Sequence, residues 1–313
     1  MKKRTTIRAV LVTLLAFAMT ALLVSCGGGG ASSESGGSKG EITVGSKNFT
    51  EQVILGELYS QTLEANGYDV NKRLDLGNVT VLDKALQSGE IDMYPEYTGT
   101  ALVTALGYEG EQFSTPDETY QKTKELYEAR TPAATMLKQA GFNNTYGIAV
   151  RRDAAEQYDL ETLADLSEAS PNLVFATFSE FQQREDGFPN IEESYPATNF
   201  EEVKVVNDLG LRYQALQQGD ADVAVGFTTD GQLRSDDLVV VEDKKNIWPF
   251  YHPAPVIKEE FLNKHQDVAG IINPVTESLD LETMQTMNGR VDLDNEDPST
   301  VAQEYLEKNG FLE

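Results

Sequence analysis

Ala85-Leu86-Gln87-Ser88-Gly89-Glu90-Ile91-Asp92-Met93-Tyr94-Pro95-Glu96-Tyr97-Thr98 aligns without a gap with Ala215-Leu216-Gln217-Gln218-Gly219-Asp220-Ala221-Asp222-Val223-Ala224-Val225-Gly226-Phe227-Thr228. Each copy reads as a helix end, a glycine suited to a left-handed C-cap, an acidic turn, a buried strand, and then an aromatic followed by Thr. The corner from helix to strand is a common device, but nothing in it requires the aromatic and the Thr at the same register. The repetition predicts two equivalent lobes, one presenting Tyr97 and the other Phe227 at the carboxyl end of a strand. Open α/β sheets bind ligands at that edge. The two rings are therefore expected to face one another across a cleft that closes on a small molecule.

Outward from the repeat, strands alternate with helical stripes. Glu41 to Val44 reads as a strand running into a turn at Gly45-Ser46-Lys47-Asn48, with Thr50 as N-cap of a helix carrying Val53, Ile54, Leu58 and Leu63. Further strands are expected at 172–178, 203–206, 221–227 and 238–241, and helices at 120–140, 160–166 and 207–218. Such an order argues for α/β units with mostly parallel sheets.

The amino-terminal region reads as an address. Lys2, Lys3, Arg4 and Arg8 precede an apolar run from Ala9 to Val24, the pattern of a secretory signal spanning 1–25. The run is too short and wrongly flanked for a stable membrane span. It ends Leu23-Val24-Ser25-Cys26, which resembles a bacterial lipobox, so the single cysteine, Cys26, is expected to carry a lipid as the new N-terminus. The Gly- and Ser-rich stretch that completes 26–40 has the composition of a flexible tether.

Composition narrows the chemistry. The chain has 51 acidic and 25 basic residues, a formal charge of -26, which disfavours attraction to nucleic acid or an anionic membrane. One Cys and two His offer no internal disulfide and too few ligands for a structural zinc site. No phosphate-binding or zinc-protease motif is present, and the one Gly-x-Ser-x-Gly, Gly36 to Gly40, lies in the tether. The acidic run Asp292 to Asp297 lacks the Gly and Glu of a calcium loop and reads as a solvated turn. No catalytic residue, metal or cofactor is expected.

What recurs instead is aromatic residues in loops after strands or helices: Tyr94, Tyr97, Tyr146, Phe227 and the cluster Trp248-Pro249-Phe250-Tyr251. Several rings converging on one cleft would hold a cation that cannot donate hydrogen bonds, at roughly 0.5 to 2 kcal/mol per ring.

Six stretches carry a family resemblance: Gly45 to Gln52, Tyr94 to Thr100, Asn143 to Tyr146, Glu180-Phe181-x-x-Arg184-x-Asp186-Gly187, Thr228 to Gly231, and Tyr251 to Pro255. In the same order over residues 41 to 313, they resemble the substrate-binding lipoproteins of ABC importers for osmoprotectants such as glycine betaine, carnitine and choline. The resemblance implies an α/β, two-lobed periplasmic-binding-protein fold of type II, with the ligand cleft between the lobes. It implies an aromatic cage of Tyr97, Tyr146, Phe227 and Tyr251, with Gln52 nearby, and carboxylate contacts from Lys47, Thr100 and Arg184. It departs at Phe227, where the family commonly carries Tyr: the ring face is kept and a hydroxyl is lost. Choline-selective members resemble this pattern with an acidic residue at the position of Thr100, so Thr100 favours a zwitterion such as glycine betaine.

The expected organisation is one lobe from 41–147 and 249–313 and a second from 148–248. The expected partners are a small osmolyte and a membrane permease with a cytoplasmic ATPase, with the protein exported and held outside the cell membrane by its lipid. A receptor for an amino acid or another small solute and a secreted, lipid-anchored hydrolase are the alternatives. The first would need no aromatic cage; the second is disfavoured by the lack of a nucleophile motif in a folded setting.

Overall fold

The computed structural model describes residues 38–312; the expected signal segment, Cys26 and the tether up to residue 37 lie outside them. The strands are β1 (Glu41–Lys47), β2 (Asp69–Gly77), β3 (Met93–Tyr97), β4 (Ala134–Met136), β5 (Tyr146–Arg151), β6 (Val174–Thr177), β7 (Glu202–Val205), β8 (Val223–Phe227), β9 (Leu238–Val240) and β10 (Pro253–Lys258). They form two five-stranded sheets, ordered β2-β1-β3-β10-β4 and β7-β6-β8-β5-β9. In each sheet the first three strands run parallel and the fourth is antiparallel to both of its neighbours. The chain leaves the first sheet after Met136, builds the second, and returns through 241–252 to add β10.

The aligned segments occupy equivalent places. The helix Val79–Ser88 ends at Gly89 with φ 80° and ψ 15°, and the helix Leu209–Gln218 ends at Gly219 with φ 77° and ψ 15°. This left-handed cap is open to glycine without the Cβ penalty other residues meet. Beyond it, Asp92 accepts from the Thr43 N–H of β1, and Asp222 accepts in the same way from Val174 of β6. Each acidic turn so ties its strand to the neighbouring parallel strand. β3 and β8 then run as the middle strands and end on Tyr97 and Phe227.

Alternation along the strands sends side chains to two faces. In the first sheet Ile42, Val44 and Met93 pack beneath Thr50–Ala65 and the carboxyl-terminal helices, while Tyr94, Val256 and Met136 pack on the other face. In the second, Ile148, Phe175 and Val225 fill one face, and Ala149, Ala176, Ala224 and Tyr213 the other.

Three local expectations are corrected. The helix expected over 120–140 is Pro116–Ala129, and Ala134–Met136 is an edge strand. Pro132 disfavours helical backbone at the residue before it, and the chain is already extended at Arg130. Thr50 is the first helical residue, not the N-cap; Phe49 holds that position and the Thr50 hydroxyl donates to Asp292. Tyr94 lies in β3, not in a loop, with its hydroxyl 3.3 Å from that of Tyr127. The acidic run is a tied turn: Glu296 pairs with Arg290 and Asp297 caps Pro298–Lys308.

Candidate functional site

The carboxyl ends of β1 and β3 in one sheet and of β6 and β8 in the other open onto a single cavity of about 530 Å³. Tyr97, Thr100 and Lys47 line it from the first sheet, Tyr146, Phe227 and Arg184 from the second, and Tyr251 from the returning segment. Seven of the expected site residues are thus brought together. Gln52 is not at the cavity surface: it is fully buried, and its side-chain oxygen accepts from the Lys47 N–H.

The rings are held by their neighbours. Phe227 and Tyr146 face each other across the β5–β8 ladder and stack with centroids 5.6 Å apart; Tyr251 stands edge-on to Tyr146 at 6.0 Å. Tyr251 is tied to the Tyr97 side by backbone: Gly99 N–H donates to the Phe250 carbonyl at 2.9 Å and Thr98 N–H to that of His252 at 3.0 Å. A Cβ on Gly99 would lie 2.8 Å from the Phe250 oxygen, so this approach needs glycine. His252 itself is structural, its Nδ1 3.0 Å from the Ala140 carbonyl, and burial lowers its pKa.

The two expected carboxylate-binding cations already have partners. Lys47 is buried against Glu96, and its ammonium lies 4.5 Å from the Tyr97 ring centroid. Burial lowers the Lys47 pKa despite Glu96. Arg184 makes a two-pronged bond to Asp186, at 2.7 and 2.5 Å, and Tyr251 donates its hydroxyl to the same carboxylate at 2.6 Å. Burial opposes ionisation of Asp186, but Arg184 and Tyr251 outweigh it and hold the carboxyl below its ordinary range. The turn is possible because residue 187 is glycine: a Cβ there would meet the Phe181 carbonyl oxygen at 2.1 Å. Thr100, with no side-chain hydrogen bond among the described residues, also lines the cavity.

Further lining residues were not expected. Phe49 lies 6.2 Å from Tyr97 and 6.3 Å from Phe227, nearly parallel to both, and so connects the rings of the two sheets. Phe178 is the counterpart of Lys47, since Val44 pairs with Met93 as Phe175 pairs with Val223. Its ring carries the buried Arg212 guanidinium at 4.4 Å. Glu51 and Asp230 add carboxylates. Asp230 accepts from Phe227 N–H and the Tyr213 hydroxyl, and burial pushes its pKa up to about 7. Phe49 and Glu51 sit inside the Gly45 to Gln52 stretch, the only signal that pointed to them.

Residues 40–308 match the family described as the substrate binding domain of the ABC-type glycine betaine transport system. The chain is 34% identical over 282 residues to a glycine-betaine-binding protein of Pseudomonas aeruginosa, covering 87% of this chain and 89% of that one. It is 32% identical over 281 residues to the carnitine transport binding protein OpuCC of Listeria monocytogenes, with 89% and 90% covered. The crystal structure of a glycine betaine/carnitine/choline ABC transporter superposes with a TM-score of 0.74 at 28% identity, covering 87% of this chain and all of that one. The two-lobed binding-protein fold and the absence of an enzymatic role follow from that kinship. The chain belongs to the family of substrate-binding domains of ABC-type glycine betaine transport systems.

Proposed function

We propose that this protein captures glycine betaine in the cavity and hands it to its permease. The observation that carries the reading is the convergence of Tyr97, Tyr146, Phe227 and Tyr251 with Lys47, Thr100 and Arg184 on one cavity. Ring faces attract a trimethylammonium group, which has no proton to donate. Arg184 and Lys47 offer charge-assisted bonds to the carboxylate end, and Thr100 offers a hydroxyl. Closure moves the second sheet, β5 to β9, as one lobe against the first; the boundary expected at 147/148 falls inside β5, whose Tyr146 and Gly147 pair with Phe227 and Gly226 of the second sheet. In this reading Cys26 carries the lipid that keeps the protein at the outer face of the membrane, on a tether that ends before Lys39, whose N–H donates to the Gly67 carbonyl and whose ammonium pairs with Asp267.

A thermal-shift series with glycine betaine, carnitine, choline and arginine tests the ligand. A ligand that binds only the folded state stabilises it by about 2.7 kcal/mol at a hundredfold excess over Kd. Glycine betaine is expected to raise Tm most and arginine not at all; a shift with arginine alone would favour the amino-acid receptor. For the anchor, Cys26→Ser is expected to move the protein from the membrane fraction to the soluble one, and a variant that still pellets would remove Cys26 from the account.

A further inference from the structure

Among the buried charges of the cavity wall the carboxylate beside Tyr97 is unpaired, while the buried Arg212 guanidinium lies over Phe178 on the second-sheet side. Lys47 is matched by Glu96 and Arg184 by Asp186. Glu51, only 3% exposed and on the cavity wall, has no such match and forms no salt bridge among the described residues. Its Oε1 accepts from the Tyr97 hydroxyl at 2.7 Å and from Asn144 Nδ2 at 2.7 Å, and its Oε2 accepts from Asn288 Nδ2 at 3.0 Å. Asn144 also donates to the Tyr97 hydroxyl at 3.3 Å, so the phenol proton is directed at Glu51. Three side chains thus donate to Glu51, and both of its carboxylate oxygens are satisfied.

Asp230 is the other buried carboxylate on the wall without an ion pair, but it bonds to the second-sheet side through Phe227 N–H and Tyr213. No cage ring donates its hydroxyl to it. Asp186 takes the Tyr251 hydroxyl in the same way but is neutralised by Arg184, so Glu51 is the carboxylate that joins a cage ring by hydrogen bond without an ion pair among the described residues.

We propose that Glu51 is the specificity-determining anion of the site, the fixed counter-charge that makes the cage select a cationic head group over a neutral one of the same shape. The inference rests on the reading of Tyr97 as a cage wall. Two physical effects act together. A buried carboxylate attracts the ligand cation directly in a low-dielectric setting. Accepting from the Tyr97 hydroxyl, it also pushes electron density into that ring, which strengthens the negative ring face that the cation meets. Asn144 and Asn288 hold the carboxylate in place.

The test uses two ligands of one shape: glycine betaine, and 3,3-dimethylbutanoate, in which carbon replaces the quaternary nitrogen. Both are titrated calorimetrically against the wild-type protein and Glu51→Gln, and the readout is the ratio of their affinities. Removing a charge from a desolvated site is expected to lower that ratio by more than about tenfold, with the loss confined to glycine betaine. Should Glu51→Gln fail to fold, Glu51→Asp, which withdraws the charge by one methylene group, should still lower the ratio by at least about threefold. An unchanged ratio in these Glu51 variants would overturn the proposal and leave Glu51 a structural residue. A wild-type protein that binds no glycine betaine would instead overturn the assignment of the cage itself.

Discussion

Replacing Arg184 by Ala separates the two ends of the proposed ligand, and the structure sets the size of each effect. A charge-assisted bond to a ligand carboxylate is worth about 1.5 to 3 kcal/mol, so Arg184→Ala is expected to weaken glycine betaine by about 10- to 150-fold. Choline has no carboxylate and should lose less than about threefold. The same substitution has a second consequence, because Arg184 is bonded twice to Asp186, which is 8% exposed. Without the guanidinium, Asp186 keeps the Tyr251 hydroxyl and loses its counter-ion, a stability cost of about 3 kcal/mol. Arg184→Ala/Asp186→Asn removes that stranded charge. Thermal melts and calorimetric titrations of both variants with both ligands resolve the roles. The double variant should recover most of the stability and none of the glycine betaine affinity. Recovery of that affinity, or equal losses for the two ligands, would refute the carboxylate assignment and reduce Arg184 to a brace for Tyr251.

The remaining expectations concern the cage and its support. Tyr97→Ala should weaken glycine betaine and choline by the same factor, at least about fivefold at roughly 1 kcal/mol, since both present the same trimethylammonium group; calorimetry showing a loss for only one would remove Tyr97 from the cage. Asp230 has a folded-state pKa near 7, above its unfolded value, so the native state holds a proton there that the unfolded state releases. Its contribution to stability is therefore greatest below about pH 4 and declines, by at most about 1.4 kcal/mol per pH unit, as pH rises through 7. Denaturant unfolding between pH 4.5 and 7.5 should show this decline, and Asp230→Asn should remove it; equal slopes in the two proteins would contradict the burial argument.

How much could be read beforehand depended on whether a feature was local. Gly89 and Gly219, with the acidic turns behind them, are local necessities of a left-handed cap followed by a strand, so the equivalence of Tyr97 and Phe227 was visible in the chain. The family motifs carried Lys47, Tyr146, Arg184 and Tyr251 to the cavity wall in the same way. Tyr94 was grouped with the loop aromatics although the repeat placed a buried strand there, and the strand carries a proline at Pro95. In the folded protein Pro95 sits opposite Pro255 in the β3–β10 ladder, so the two missing N–H groups fall at one position and the strand continues. Long-range partners were not legible at all. The Glu51 network joins Tyr97, Asn144 and Asn288 across 237 residues of chain, and no spacing in the sequence records it. Gln52, one residue further along the same helix, turns to the Lys47 backbone beneath the cavity wall, a choice of helix face settled by packing.

The central claim is that rings hold the ammonium and that Arg184 holds the carboxylate, and a crystal structure with glycine betaine bound tests it most directly. The account predicts one ligand in the cavity, its nitrogen within about 6 Å of the centroids of Tyr97, Tyr146, Phe227 and Tyr251. Its carboxylate should lie about 3 Å from the Arg184 guanidinium. A ligand with these ends reversed, or one held outside the rings, would contradict it.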